Sequence, residues 1–105
     1  MTSAKPDIPQ LDVPEHEIRD FCERNHIVRF MLFGSAVRED FRPDSDVDVL
    51  VEFDPGHVPG FGFFALQDEL AAIFQRDVDL NTWGFLSPHI REDVARDAVT
   101  IYDKA

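Results

Sequence analysis

Residues 32–53, LFGSAVREDFRPDSDVDVLVEF, pass from an apolar run through a Gly-Ser pair into a run where acids and valines alternate. The pattern reads as the end of a strand, a turn, a short helix, a tight loop and a second strand. In that second strand Val47, Val49 and Val51 share one face, while Asp46, Asp48 and Leu50 share the other. A rise of about 3.3 Å per residue sets the Cα atoms of Asp46 and Asp48 roughly 6.5–7 Å apart. Carboxylates so spaced can converge on a pair of divalent ions, which in two-metal sites lie about 3.5–4 Å from each other. Gly34 and Ser35 fall between the apolar run and the expected helix start. A backbone without Cβ there lets anionic oxygens approach N–H groups and a hydroxyl. Phosphate binder and metal binder are expected at one edge of one sheet.

The flanking chain supplies the rest of a small domain. Residues 1–11 carry two prolines and little periodicity, and read as a flexible N-terminal arm. A single domain follows over 12–105. Asp12 is placed to cap a helix over 13–24, with Pro14 in its first turn. Ile18, Phe21 and Cys22 share one helical face, so Cys22 is expected in the core. The spacing then predicts a strand over 27–33 and, after the acidic strand, a loop over 54–62 rich in Pro and Gly. Such a loop beside a site can act as a lid, while His57 within it reads as an exposed loop histidine. A helix over 63–75 follows, with Phe63, Leu66, Leu70, Ile73 and Phe74 as its apolar stripe.

The next strand, over 78–81, carries Asp79 between Val78 and Leu80. Asp77 falls on the same face by period two and is its rival as a third carboxylate. Trp83 is read as core in preference to a base-stacking platform. Ser87 and Pro88 open a helix to about residue 97, with Ile90, Val94 and Ala98 inward. A short strand over 99–102 closes the chain. The fold class is therefore α/β (α+β), a small mixed sheet flanked by helices.

Charge narrows the function. The chain holds 21 acidic against 10 basic residues, for a formal charge of -11. Such a surface repels a nucleic-acid backbone, whose binding relies on Lys and Arg, so no direct nucleic-acid contact is expected. A nucleoside triphosphate remains admissible, because a bound cation supplies positive charge locally. The single cysteine excludes an intramolecular disulfide and a Cys-cluster zinc site. No apolar run is long enough to span a bilayer and no signal peptide pattern appears, so the cytoplasm is the expected compartment.

The order GS, a basic residue three positions after the Ser, then SDVDVLV and a second hydrophobic-Asp-hydrophobic strand resembles the minimal nucleotidyltransferase (MNT) domain of the DNA polymerase β-like nucleotidyltransferase superfamily. The likeness runs over about residues 27–102. It implies that Asp46 and Asp48 hold two Mg²⁺ ions, and that Asp79 binds the acceptor-side ion and helps deprotonate the attacking hydroxyl. Gly34 and Ser35 would hold the β- and γ-phosphates of ATP, and Ser45 would fix the turn that aims Asp46. Arg38 would neutralise phosphate charge, unless it forms a surface ion pair with Glu39 or Asp40. Both its context and the resemblance favour Asp79 over Asp77. MNT proteins are typically paired with a HEPN-domain ribonuclease in toxin–antitoxin systems. The implied function is transfer of AMP from ATP to a hydroxyl, a tyrosine by the resemblance, of that HEPN toxin.

Related sequences often carry a further basic residue after the Ser. Here Ala36, Val37 and Glu39 stand where they have Arg, Ala and Gly, which should weaken nucleotide binding without abolishing it. Two other readings stand beside transfer: an antitoxin that neutralises its partner by docking alone, and a nucleotide or metal sensor that transfers nothing. A chain of catalytic-core size is expected to take its acceptor surface from another molecule.

Overall fold

The computed structural model describes residues 11, 13–37 and 45–104. Among these residues three α-helices, α1 (Glu15–Arg24), α2 (Gly62–Phe74) and α3 (Pro88–Asp97), are interspersed with four strands. The strands are β1 (Ile27–Phe33), β2 (Val47–Phe53), β3 (Val78–Asn81) and β4 (Val99–Asp103), with short 3₁₀ turns at Gly34–Val37, Pro55–His57 and Trp83–Phe85. They form one sheet in the order β3-β2-β1-β4. β1 runs antiparallel to both β2 and β4, whereas β2 and β3 run parallel, joined through α2. This is the mixed α/β sheet expected from the sequence.

Period two divides the sheet into two faces, and each is covered. On one, Phe30 and Leu32 of β1 and Val47, Val49 and Val51 of β2 pack against Ile18, Phe21 and Cys22 of α1 and Leu66, Leu70 and Phe74 of α2. Val78 and Leu80 of β3 join this face. On the other, Met31, Phe33 and Leu50 meet Leu86 and Val94, with Trp83 and Ala98 partly buried against them. Each fully buried aliphatic or aromatic side chain contributes about 1.5–3 kcal/mol relative to exposure. An irregularity in the β1–β2 register between Ile27 and Arg29 lets odd-numbered Ile27 join the even-numbered Phe30 and Leu32.

Local chemistry departs from expectation at several boundaries. α1 starts at Glu15, with the Pro14 carbonyl accepting from the Ile18 N–H at 3.0 Å. Asp12, its expected cap, lies outside the described residues. Leu11, assigned by sequence to the arm, is buried in the first core. Ser87 stands at the N-cap of α3 but makes no side-chain capping bond; its carbonyl accepts from the Arg91 N–H at 3.0 Å. Ile90, expected inward, is 45% exposed. Trp83, read as core, is partly buried against the second core, and its Nε1–H donates to Glu52 Oε2 at 2.9 Å. Gln67 of α2 accepts from the Leu80 N–H at 3.0 Å, satisfying a donor on edge strand β3.

The loop after β2 starts at the end of the sheet away from the site. Its start hydrogen-bonds to the beginning of β1, where the Asp54 N–H donates to the His26 carbonyl at 2.8 Å. His57 then stacks on His26, ring centroids 3.7 Å apart. That is the end of the β1–β2 pair away from Gly34 and Asp48. Among the described residues no helix is long and apolar enough to cross a membrane.

Cys22 is fully buried, and burial first and Glu23 second push its thiol pKa from 9.0 up to about 12. The unfolded chain ionises this thiol near 9, so the neutral thiol's contribution to stability is intact below that pH. It is lost as pH climbs toward about 12. Ellman's reagent should leave the native protein unlabelled at neutral pH and titrate one thiol per chain in urea. Urea midpoints should fall between pH 9 and about 12, and fall less in Cys22→Ala.

Candidate active site

β1 delivers the chain to the site and β2 begins there. Phe33, the last residue of β1, pairs with Asp48 near the start of β2. Between them the backbone must leave the sheet at once, and Gly34 does so with φ at +66°, a region that L side chains rarely adopt. Space imposes a second requirement. A Cβ on Gly34 would collide with the Asp48 carboxylate oxygen and lie 3.1 Å from its Cγ. The room that sequence reasoning reserved for triphosphate oxygens is thus bordered by the Asp48 side chain itself.

The second carboxylate arrives by parallel pairing. Val47 lies opposite Val78 and Asp48 opposite Asp79, so the two valines bury on the first face and the two acids share the other. The Val47 N–H donates to the Asp77 carbonyl at 2.9 Å, continuing the ladder one step before β3. Asp48 is half-buried and Asp79 exposed.

Both acids line a cleft of about 500 Å³ on the second face of the sheet. Gly34, Asp48, Asp79 and Asn81 line it from the sheet; Phe85, Ile90, Asp93 and Asp97 line it from the Trp83–Phe85 turn and α3. The Asn81 Nδ2 donates back to the Asp79 carbonyl at 3.1 Å. Arg96 is the one cationic side chain among the described lining residues. It is shared by Asp93 at 2.9 Å and Asp97 at 3.1 Å, and those hydrogen bonds, Asp97 first, raise its pKa.

The remaining expected residues fall elsewhere. Asp46 precedes β2, is exposed, and is not among the lining residues; neither are Ser35, Ser45 and Asp77. The Ser45 carbonyl accepts from Arg76 Nη1 at 3.3 Å, tying the entry of β2 to the turn before β3. Arg38, with Glu39 and Asp40, lies outside the described residues. Where sequence reasoning expected three converging acids, Asp48 and Asp79 face one cleft. Among the described residues no group of three or more His, Cys, Asp or Glu side chains is gathered to hold a metal ion. An all-oxygen pair of carboxylates still suits a hard divalent cation whose other ligands come from water and phosphate.

Sequence reasoning missed the α3 wall. Ile90, Asp93, Val94 and Asp97 follow the spacing i, i+3, i+4, i+7, so a stripe mixing acids with apolar residues was present to be read. Read for apolar residues alone, it showed only a core face.

A mixed sheet that sets two in-register acids beside a glycine turn is a framework suited to metal-assisted transfer of a phosphate-bearing group. The family model "Polymerase beta, Nucleotidyltransferase" matches residues 16–105, and the chain belongs to that family. It is 33% identical over 84 residues to the protein adenylyltransferase MntA of Thermococcus cleftensis, covering 79% of this chain and 83% of that protein. A solved chain assigned as a minimal nucleotidyltransferase superposes with a TM-score of 0.70 at 31% identity, over 92% of this chain and 98% of that one. Two toxin–antitoxin complexes also match, each at 22% identity. One contains AMP-PNP, with a TM-score of 0.70 over 87% of this chain and 74% of its own. The other is a tri-AMPylated Shewanella oneidensis HEPN toxin with its MNT antitoxin, with a TM-score of 0.61 over 85% and 69%. At that identity the two complexes attest the fold alone.

Gly34→Ala combines a strained φ with the Asp48 collision and should destabilise by about 1–3 kcal/mol in urea unfolding. Adding Asp48→Gly should recover the collision part and leave the dihedral part. Full stability in the single variant would contradict the turn geometry.

Proposed function

We propose that this chain transfers AMP from ATP to a hydroxyl, a tyrosine by family likeness, of a HEPN-domain toxin and thereby acts as its antitoxin. The observation that carries this reading is the parallel register that puts Asp48 beside Asp79 on a cleft bordered by the Gly34 turn. The named relative is an adenylyltransferase of proteins, and the fold recurs in complexes holding AMP-PNP or an AMPylated HEPN toxin.

In the proposed reaction the acceptor oxygen attacks the α-phosphorus of ATP in line, the bond to the bridging oxygen breaks, and pyrophosphate leaves. The hydroxyl proton passes to the Asp79 carboxylate, which is exposed and can release it to water. Asp48 and Asp46 hold the nucleotide side, with Ser45 setting the approach to β2. Gly34 and Ser35 receive the β- and γ-phosphates, with Arg38 as a neutralising cation. Two Mg²⁺ ions held by Asp46, Asp48 and Asp79 would supply the positive charge that the acidic cleft lacks. Positioning and charge stabilisation are the main levers. We place the reaction in the cytoplasm, where ATP is available and thiols stay reduced.

Asp46 is exposed and not among the residues that line the cleft, which leaves a second reading in which the chain silences its partner by docking alone. Intact mass spectrometry of the HEPN protein after incubation with ATP and Mg²⁺ separates the two. Wild type should add whole AMP increments, and Asp79→Asn should slow addition at least about a hundredfold. Inhibition of the toxin with no mass change, equal in wild type and Asp79→Asn, would replace transfer by docking.

A further inference from the structure

Most large apolar side chains here are buried, yet three phenylalanines around one edge of the sheet are not. Phe61 is 96% exposed, Phe64 67% and Phe85 66%. They belong together. Phe61 and Phe64 are three residues apart at the start of α2, where the Phe64 N–H donates to the Phe61 carbonyl at 3.4 Å. Phe63, partly buried, meets Phe64 edge-on with centroids 6.2 Å apart and meets Phe85 edge-on at 5.4 Å. The rings form a ridge from the head of α2, across Phe63, to Phe85. Phe85 is also a wall of the cleft that holds Asp48 and Asp79, and half-exposed Ile90 continues that wall.

An aromatic ridge left in water costs solubility without helping the fold, and such patches mark interaction sites. What covers this one follows from its continuity with the cleft and from charge. Among the described lining residues four carboxylates, Asp48, Asp79, Asp93 and Asp97, face one guanidinium, and Arg96 is already shared by two of them. The whole chain carries a formal charge of -11. A complementary face is therefore apolar at its centre and cationic at its margin.

We propose that the ridge of Phe61, Phe64, Phe63 and Phe85 is the docking surface for the acceptor protein. The acceptor lays an apolar side chain on the ridge, flanks it with Lys or Arg facing the acidic cleft, and so brings its hydroxyl toward Asp79. The proposal deepens the transfer reading and rests on it for the acceptor's identity. Specificity for the acceptor then lies in α2 and the Trp83–Phe85 turn, whereas the nucleotide is held across the cleft at the Gly34 turn.

The test uses the full chain with the HEPN-domain protein of the transfer assay. Phe61→Glu and Phe64→Glu alter exposed rings, so thermal melting and calorimetric ATP affinity should match wild type. Each should raise KM for the acceptor protein about tenfold or more and leave KM for ATP unchanged. Surface plasmon resonance should show the same loss of acceptor binding, and added salt should weaken wild-type binding. Unchanged acceptor KM and binding in both variants would overturn the proposal. So would self-association of the chain alone, in sedimentation velocity, that Phe64→Glu abolishes, since a second copy would then cover the ridge. If wild type adds no AMP, the transfer reading falls separately. Loss of acceptor binding in the two variants would still uphold the ridge, and wild type failing to bind the acceptor would overturn it.

Discussion

Everything at the site depends on the parallel pairing of β2 with β3. Two strands in that orientation cannot be joined by a tight turn; they need a crossover, and α2 provides it. The register follows from burial. Val47 and Val49 must face α1 and α2, as must Val78 and Leu80, and a slip of one residue would turn β3's apolar pair to the wrong side. With the valines in place, Asp48 and Asp79 have no choice but to lie side by side on the opposite face. The position of two acids is thus set by the burial of four aliphatic residues behind them.

That opposite face is where the domain gives up packing for function. The first face is closed by two helices, while the second is closed only in part by α3 and the Trp83–Phe85 turn. Hydrogen bonds hold this thinner cover. Trp83 donates to Glu52, which also takes Arg29 at 3.4 Å, and Arg91 Nε donates to the Trp83 carbonyl at 3.0 Å. Leu86 and Val94 bury beneath it, and the space left between α3 and the strand starts is the cleft. Among the described residues four carboxylates line it against one guanidinium, which is the electrostatic side of an affinity for cations.

Gly34 shows how narrowly the entry is drawn. The β1–β2 ladder carries Phe33 directly opposite Asp48, so the exit turn begins against a carboxylate and must have both a left-handed φ and no Cβ. Glycine alone meets both conditions. Its role in this chain is explained by Asp48 before any ligand is considered.

Much of this was legible in residues 32–53 and 78–81. Period two placed Asp48 opposite in face to the valines, Gly-Ser marked the turn, and hydrophobic-Asp-hydrophobic singled out Asp79 from Asp77. These are local rules, and the sheet obeys them because burial enforces them strand by strand. Other features were fixed by contacts distant in sequence. Asp46 stands one residue before β2, is exposed, and is not among the residues that line the cleft. For the loop over 54–62, composition says loop and not where it goes; antiparallel pairing of β1 and β2 carries its start to the end away from Gly34 and Asp48. Ile90 read as inward by helical spacing, yet it stays half-exposed on the wall of the cleft. The sequence by itself determined the strands, the turn and the acids, since these follow from periodicity and backbone freedom. Only the tertiary structure decided which acids share a cleft and which rings stay in water, because that depends on where strands end and what packs above them.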